Sequence, residues 1–429
     1  MRMYISPDES QIADIVTRPT FNFDELNTTV AAILNDVKEK GDDALRKYAR
    51  EFDKCEVGDL EVSQDEFDSA EAGISPPLRS AIALAISAIE KFHCSQRKEE
   101  HVVETANGVF CWRRSVPIER VGIYIPAGTA PLFSTVLMLA IPARIAGCGE
   151  IVLCCPPNRD GKIDETVLYA ARACGVTKAF KAGGAQAIAA MAFGTESVPK
   201  VYKIFGPGNQ YVTCAKQLVT QTGTAIDLPA GPSEIAILAD ETCVPAFVAA
   251  DLLSQAEHGI DSQCLLVATT REIADEIKDE IERQLACLPR REIAAVSLEN
   301  SCIVVEPDFE KAIELINEYA SEHLILAVRD ADKVACQIIN AGSVFIGNYS
   351  TESAGDYASG TNHTLPTNGY ARNYSGVSLD SFVKKITFQK LTELGLQTIG
   401  PAVETMAEAE GLDAHKRAVS IRLEAIDAV

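Results

Sequence analysis

The sequence of 429 residues predicts an α/β protein built on two parallel β-sheets, with helical segments at both ends of the chain. Two observations carry this prediction. From about residue 119, short apolar runs alternate with amphipathic helical segments, which is the pattern of parallel strands joined by helices. The same alternation returns after the segment LPAGPS at 228–233.

The N-terminal third is predicted to be largely helical. Apolar side chains recur there at the spacing of one face of an amphipathic helix, namely Val30, Ile33, Leu34 and Val37. Gly41 then ends this helix, because glycine adopts the left-handed conformation that closes helices.

The first α/β unit contains four strand-like runs: VGIYIP (121–126), EIVLCC (150–155), VTKAFKA (176–182) and VYKIF (201–205). Asp164 is positioned to cap a helix after the second run, and Gly175 to end it. The second unit contains five such runs, SEIAILAD, SQCLLVATT, SCIVVE, HLILAV and GSVFIGN. In the C-terminal segment, Pro401 is expected to start a helix, Gly411 to end it and Asp413 to cap another.

Charge and hydropathy exclude several classes of function. The formal net charge of −22 repels phosphate backbones, so nucleic acid is not expected as a partner. Uninterrupted apolar runs of about 18 residues do not occur, so we expect no membrane-spanning helix. The first residues, MRMYISPDESQIAD, lack the apolar core of a signal peptide and are too acidic for a transit peptide. We therefore expect a cytoplasmic protein.

Four of the six histidines stand beside acids, amides or glycines. In DLLSQAEHG (251–259), Gln255 and His258 are three residues apart, so on a helix they face the same way and can chelate one metal ion. For the spacing alone, a polar helix end capped by Gly259 is the favoured explanation. In SEHLILAV (321–328), Glu322 and His323 directly precede an apolar strand, and strand ends of α/β sheets gather catalytic groups.

Glutamate can activate water, and histidine transfers protons near neutral pH. The alternative for Glu322 and His323 is a capping residue beside a half-buried histidine. In ESAGDYASGTNHTLPT (352–367), Asp356 and His363 lie in a long glycine-rich loop, which is more often functional than structural. In AEAEGLDAHK (407–416), Glu410 ends one helix and His415 begins the next.

These contexts supply nitrogen and oxygen donors without sulfur, which suits a catalytic zinc site better than a structural one. The donors are Gln255, His258 and Asp356, with either His363 or His415. The signal for a nucleotide is weaker. KAGGAQAIA (181–189) places two glycines between a strand and a helix, where backbone amides can approach phosphates, but GxGxxG followed by an acid does not occur. Ordinary tight turns remain the alternative.

The chain resembles the histidinol dehydrogenase family. The motifs that carry the resemblance run in order along essentially the whole chain: GIYIPAGTAPLFST, AGGAQAIAAMAFGT, FGPGNQYV, LPAGPSE, DLLSQAEHG, SEHL, ESAGDYASGTNHTLPT and AEAEGLDAHK. The resemblance implies two Rossmann-like domains in an intertwined homodimer. The expected division is 1–20, an N-terminal helical extension; 21–123 with 233–376, the first α/β domain, holding metal and catalytic residues; 124–232, the NAD-binding domain; and 377–429, a C-terminal helical segment that reaches the partner subunit.

The resemblance also implies an activity: oxidation of L-histidinol to L-histidine through L-histidinal, with two NAD+ and one zinc ion per subunit, at the end of histidine biosynthesis. The implied zinc ligands are Gln255, His258, Asp356 and His415, the last from the partner subunit. The implied acid and base are Glu322 and His323, and the implied NAD contacts are Tyr124, Gln186 and Asn209. Substrate would be held by the ligands, by Glu322, and by Ser233, Glu352, His363 and Glu410.

Two rival interpretations stand beside this one. The first is a dehydrogenase of the same fold that acts on another small alcohol, such as a sulfonated diol. Glu410 and His363, which suit a cationic imidazole-bearing substrate, count against it. The second is a zinc-binding protein without catalysis, which would have no use for both Glu322 and His323 at a strand end.

Overall fold

The computed structural model describes residues 1–18, 23–127 and 131–428. Its strands are β1 (Arg2–Ile5), β2 (Val103–Ala106), β3 (Val109–Pro117), β4 (Arg120–Tyr124), β5 (Glu150–Cys155), β6 (Lys178–Lys181), β7 (Lys203–Phe205), β8 (Ala225–Ile226), β9 (Glu234–Ala239), β10 (Gln263–Ala268), β11 (Cys302–Val305), β12 (His323–Ala327), β13 (Ser343–Ile346) and β14 (Val383–Leu391).

Its helices are α1 (Glu9–Val16), α2 (Phe23–Lys40), α3 (Asp42–Tyr48), α4 (Gln64–Gly73), α5 (Pro76–Cys94), α6 (Phe133–Ala146), α7 (Glu165–Cys174), α8 (Gly184–Phe193), α9 (Gln210–Thr220), α10 (Pro245–Ala256), α11 (Arg271–Leu285), α12 (Arg291–Glu299), α13 (Phe309–Tyr319), α14 (Ala331–Ala335), α15 (Glu352–Tyr357), α16 (Glu393–Ala409) and α17 (Asp413–Asp427). No single helix in the described part of the chain is long and apolar enough to cross a membrane, whereas the pair α4 and α5, bent by 107°, meets the length and composition criteria jointly.

The chain forms two compact units, and the first (Met1–Ser95 with Ile118–Phe382) contains both parallel sheets. One sheet has five strands in the order β6-β5-β4-β7-β8, and the other has six in the order β1-β11-β10-β9-β12-β13. All neighbouring strands in both sheets are parallel. The predicted α/β class with two parallel sheets is confirmed.

Both sheets share one topology. Strands β4 to β8, numbered 1 to 5 by chain position, lie in the order 3-2-1-4-5, which is the Rossmann order. Strands β9 to β13 lie in the same order, and β1 is added at one edge of their sheet. The central strands are buried on both faces, as parallel strands covered by helices must be, and every residue of β9 and β12 is buried.

The helices of the N-terminal third pack on the five-stranded sheet. Leu34 and Val37 of α2 share a core cluster with Ile188 of α8, and Ile89 of α5 shares another with Val121 of β4. The predicted assignment of 21–123 to the domain of the six-stranded sheet is therefore wrong, because the apolar faces of these helices are covered by the other sheet.

The predicted helical extension over 1–20 is also wrong in its first residues, since Arg2–Ile5 is the edge strand β1, paired with β11. Helix α1 follows it and buries Ile15 against the six-stranded sheet. Residues 19 and 20 lie outside the described part of the chain, as do 128–130 of the GIYIPAGTAPLFST motif.

The second unit (Gln96–Pro117 with Val383–Val429) contains the antiparallel sheet β14-β3-β2 and helices α16 and α17. In the register of β14 on β3, Phe388 opposes Trp112, and their rings stack 5.4 Å apart. The prediction of a purely helical segment over 377–429 is thus wrong for Val383–Leu391. Pro401 lies inside α16 rather than at its start, whereas Gly411 follows the end of this helix as predicted. The predicted cap at Asp413 is wrong, because Asp413 is the first residue of α17 and Leu412 occupies the N-cap position without a side-chain capping bond.

Candidate active site

The predicted acid and base lie at the amino edge of the six-stranded sheet. His323 is the first residue of β12, and the Glu322 carboxylate accepts a hydrogen bond from the backbone N–H of Glu234, the first residue of β9, at 3.0 Å. Both side chains are buried. Ligands of open α/β sheets usually bind at the carboxyl ends of the strands. Glu322 and His323 lie instead at the opposite edge.

Three carboxylates surround the imidazole of His323. Its Nδ1 lies 3.3 Å from an oxygen of Glu352 and 3.9 Å from one of Glu322, and its Nε2 lies 3.6 Å from an oxygen of Asp356. Neither ring nitrogen makes a hydrogen bond that satisfies both distance and direction among the described residues. Burial, reinforced by His363 and His258, lowers the pKa of His323 to about 3, so its imidazole is neutral.

A second group of side chains has the composition and spacing of a metal site. Donor atoms of His258, Glu352 and Asp356 all lie within 4.8 Å of one another. Glu352 and Asp356 are four residues apart in α15 and therefore share one helix face. His258 follows the end of α10 and is the most exposed of the three.

Gln255 is the fourth potential ligand. Its side chain is fully buried in the last turn of α10, and neither its amide oxygen nor its amide nitrogen has a hydrogen-bond partner within the described residues. Because an unpaired buried amide costs about 1–3 kcal/mol, its oxygen is well suited to bind a cation. Nitrogen and oxygen donors of this kind fit a catalytic zinc ion.

The acids of the site also favour a cation. Burial raises the pKa of Glu322 and of Glu352 well above the usual value, and the neighbouring carboxylate of Asp356 raises both further. Burial raises the pKa of Asp356 to about 6. Acids crowded together can ionise only if positive charge is supplied nearby, and a bound metal ion would supply it.

His363 connects the glycine-rich loop to helix α6 of the five-stranded half. Its Nδ1 lies 3.0 Å from the backbone oxygen of Asp356, and since a carbonyl only accepts, this nitrogen carries the proton. Its Nε2 then accepts from the hydroxyl of Thr135 on α6, at 3.2 Å. Burial lowers the pKa of His363 to about 4, so the ring is neutral.

The residues predicted to contact NAD lie at the carboxyl edge of the five-stranded sheet. Tyr124 ends β4, and its hydroxyl accepts from the N–H of Gly184 at 3.1 Å. Gln186 is buried with its amide oxygen unpaired among the described residues. Asn209 caps α9, accepting from the N–H groups of Tyr211 and Val212. These residues flank the point between β4 and β7 where the strand order reverses, which is where dinucleotides bind.

A small cavity of about 40 Å³ in the first unit lies between the turn that follows β7 and three of the predicted catalytic and substrate residues. Its lining includes Gly206, Lys216 and Asp227 from the five-stranded half, together with Ser233, Glu322 and His363. The carboxyl edge of one sheet thus faces the amino edge of the other across the candidate site.

Glu410 and His415 belong to the second unit. Glu410 is the residue after the end of α16, His415 lies in the first turn of α17, and both side chains are exposed. Their predicted roles as substrate contact and metal ligand stay predictions.

Comparison with known proteins decides the family. The family model for histidinol dehydrogenase matches residues 16–423. A histidinol dehydrogenase of Bacteroides thetaiotaomicron is 59% identical over 423 residues, covering 99% of both chains. The chain belongs to the histidinol dehydrogenase family.

Other members support this membership. A chloroplastic histidinol dehydrogenase of Arabidopsis thaliana is 52% identical and covers 98% of this chain and 90% of its own. The crystal structure of histidinol dehydrogenase from Elizabethkingia anophelis superposes with a TM-score of 0.97 at 55% identity, covering 100% of this chain and 99% of the other. Membership in a histidinol dehydrogenase family makes this chain an oxidoreductase, so the interpretation as a zinc-binding protein without catalysis is wrong.

The sequence did not single out two hydrogen bonds that hold predicted site residues. Thr135 bonds His363, and the hydroxyl of Ser254 donates to Glu352 at 3.2 Å. Both residues lie inside the motifs GIYIPAGTAPLFST and DLLSQAEHG, but a threonine in one helix and a serine in another carry no signal of distant partners.

Proposed function

We propose that this protein oxidises L-histidinol to L-histidine through L-histidinal with two NAD+, as the last steps of histidine biosynthesis in the cytoplasm. Family membership supports the substrate, and one observation supports the chemistry. That observation is the buried, neutral imidazole of His323, without a well-directed hydrogen bond among the described residues and surrounded by Glu322, Glu352 and Asp356.

In the first oxidation, His323 accepts the proton of the substrate hydroxyl while hydride moves from the carbinol carbon to NAD+. The neutral imidazole offers a ring nitrogen for this proton, and the imidazolium that forms would lie beside the acids Glu322, Glu352 and Asp356, whose ionised forms favour its positive charge. Glu322 then takes a proton from water as the water oxygen bonds to the aldehyde carbon. Protonated His323 returns its proton to the carbonyl oxygen, which forms the hydrated aldehyde and leaves His323 neutral. His323 accepts the second hydroxyl proton while the second hydride moves to the second NAD+.

We assign the zinc ligands to Gln255, His258, Asp356 and His415 of the partner subunit. When bound, zinc supplies positive charge that orients the imidazole and amino nitrogens of the substrate. Glu352 lies within the same cluster of donor atoms, and we assign it to the substrate together with Ser233, His363 and Glu410. Tyr124, Gln186 and Asn209 are assigned to NAD+.

The overall proposal is tested by NADH formation with histidinol. We expect two NADH per histidinol in the holoenzyme, loss of activity after treatment with a chelator, and recovery on addition of Zn²⁺. Absence of zinc-dependent NADH production with histidinol would overturn the proposal, and activity on a sulfonated diol instead would support the rival dehydrogenase.

Removing a metal ligand tests the zinc assignment separately. In a His258→Asn variant we expect the zinc bound per subunit to fall about tenfold or more, with a parallel loss of activity, because a first ligand contributes at least as much as the outer groups whose loss costs about 10–100-fold. Zinc is measured by atomic spectroscopy on the purified protein. His101→Asn, at an exposed histidine, is the control and retains its zinc; full zinc content in His258→Asn contradicts the assignment.

The homodimer with an exchanged C-terminal segment predicts complementation between two inactive variants. When His258→Asn and His415→Asn proteins are unfolded and refolded together, half of the dimers are hybrids and one of the two sites in each hybrid is intact. We therefore expect about a quarter of wild-type activity in the mixture. Activity no higher than that of the separate variants contradicts an exchanged site.

A further inference from the structure

A buried ion pair holds one glycine of the turn that follows β7. The ammonium of Lys216 pairs with Asp227, and these side chains are only 4% and 1% exposed. Lys216 donates to the backbone oxygen of Gly206 at 2.8 Å, and the backbone N–H of Gly206 donates to Asp227 at 2.8 Å. Asp227 accepts a further bond from the N–H of Leu228 at 2.7 Å.

Stability alone does not account for this pair. Desolvating two charges costs several kcal/mol per ion, and apolar residues of similar volume often give equal or greater stability. Here the charged groups direct their remaining hydrogen bonds at the backbone of one turn. The pair therefore determines where the backbone of Gly206 lies.

The position of Gly206 matters because the turn is pressed against the end of β4. Gly206 has a φ of +125°, and a Cβ there would lie 2.1 Å from the backbone oxygen of Tyr124. Three residues later, Asn209 uses its amide oxygen to cap α9. Tyr124 and Asn209 are two of the three residues assigned above to NAD+.

The same pair borders the catalytic half of the site. Lys216 and Asp227 line the cavity of about 40 Å³ to which Ser233, Glu322 and His363 also contribute. A shift of the turn would thus change the distance between the bound coenzyme and the groups that handle the substrate.

We infer that Lys216 and Asp227 are positioning residues for the coenzyme, which hold the Gly206 turn so that NAD+ lies in register with the catalytic groups. This inference rests on the proposed function. It assigns to the pair no contact with substrate and no proton transfer.

The test is the holoenzyme with the pair replaced by apolar residues, Lys216→Met with Asp227→Leu. We expect kcat/KM for NAD+ to fall by about 100-fold, since a misplacement of about 1 Å can cost that much, while KM for histidinol stays within about twofold. We also expect a weaker Kd for NADH, measured by its fluorescence and independent of turnover. Zinc content and Tm monitor the rest of the fold.

The matched control is Lys178→Met with Glu150→Gln. This ion pair of the five-stranded sheet, at 3.3 Å, joins the first residues of β6 and β5 and therefore lies at the edge opposite to the residues assigned to NAD+. We expect no change in either kinetic parameter or in the Kd for NADH.

Two results overturn the inference. One is an unchanged Kd for NADH in a folded Lys216→Met/Asp227→Leu protein, and the other is a KM for histidinol that rises as much as the KM for NAD+. If that variant does not fold, Lys216→Gln with Asp227→Asn replaces it, with the same selective loss expected. Failure of the proposed function is seen separately, as absence of NADH formation by the unaltered protein with histidinol.

Discussion

A His323→Gln variant is expected to oxidise histidinol about 10³-fold more slowly than the unaltered enzyme, the middle of the range for loss of a general base. Glutamine fills similar space but cannot accept a proton. Because His323 acts in both oxidations, we expect similar losses with histidinol and with histidinal. Single-turnover formation of NADH, followed by absorbance, measures each step.

Zinc content and Tm decide whether such a loss is chemical. His323 is assigned neither to the metal nor to the coenzyme, so bound zinc and the Kd for NADH should not change. His101→Gln, at an exposed histidine, is the control substitution. A His323→Gln enzyme that retains more than about a tenth of the normal rate is incompatible with a general-base role.

A Glu322→Gln variant is expected to separate the two oxidations. Glutamine can still accept the hydrogen bond from the N–H of Glu234, at 3.0 Å in the native protein, so the geometry is retained. It cannot take a proton from water, and we expect oxidation of histidinal to fall about 10²–10⁴-fold. Oxidation of histidinol to histidinal should fall much less, so rapid-mixing traces should show one fast NADH and one slow NADH per histidinol.

The control is Glu306→Gln, at another buried acid of the same sheet, which follows β11 at the opposite edge. It should leave both phases unchanged. Equal slowing of histidinol and histidinal oxidation by Glu322→Gln would show that Glu322 does not act specifically on water.

The strands that were predicted correctly have a recognisable local sequence pattern. HLILAV and EIVLCC are apolar on both faces and became buried central strands, because parallel strands between two helical layers cannot expose a polar face. The strands that were not predicted lack such a pattern. Arg2–Ile5 and Val383–Leu391 are only partly buried, and each is a strand because a neighbour, β11 or β3, supplies its hydrogen bonds.

The site shows the same division. Local spacing pairs Gln255 with His258 and places Glu322 beside His323. In the structure Gln255 lies in the last turn of α10, whereas His258 follows the end of that helix, and His323 begins β12 directly after Glu322. Sequence spacing could not predict that Glu352 lies 3.3 Å from His323 or that Thr135 forms a hydrogen bond with His363. Those contacts depend on how separate elements pack.

The sequence alone therefore determined the α/β class, the family and the candidate residues, since periodicity and long motifs are properties of neighbouring positions. The tertiary structure alone decided that the N-terminal helices cover the five-stranded sheet and that the predicted acid and base lie at the amino end of β12. It alone decided that Lys216 and Asp227 meet at Gly206. Each of these features depends on which apolar faces and which buried charges come into contact in the folded chain. Such contacts join positions that are distant in the sequence, so no local pattern predicts them.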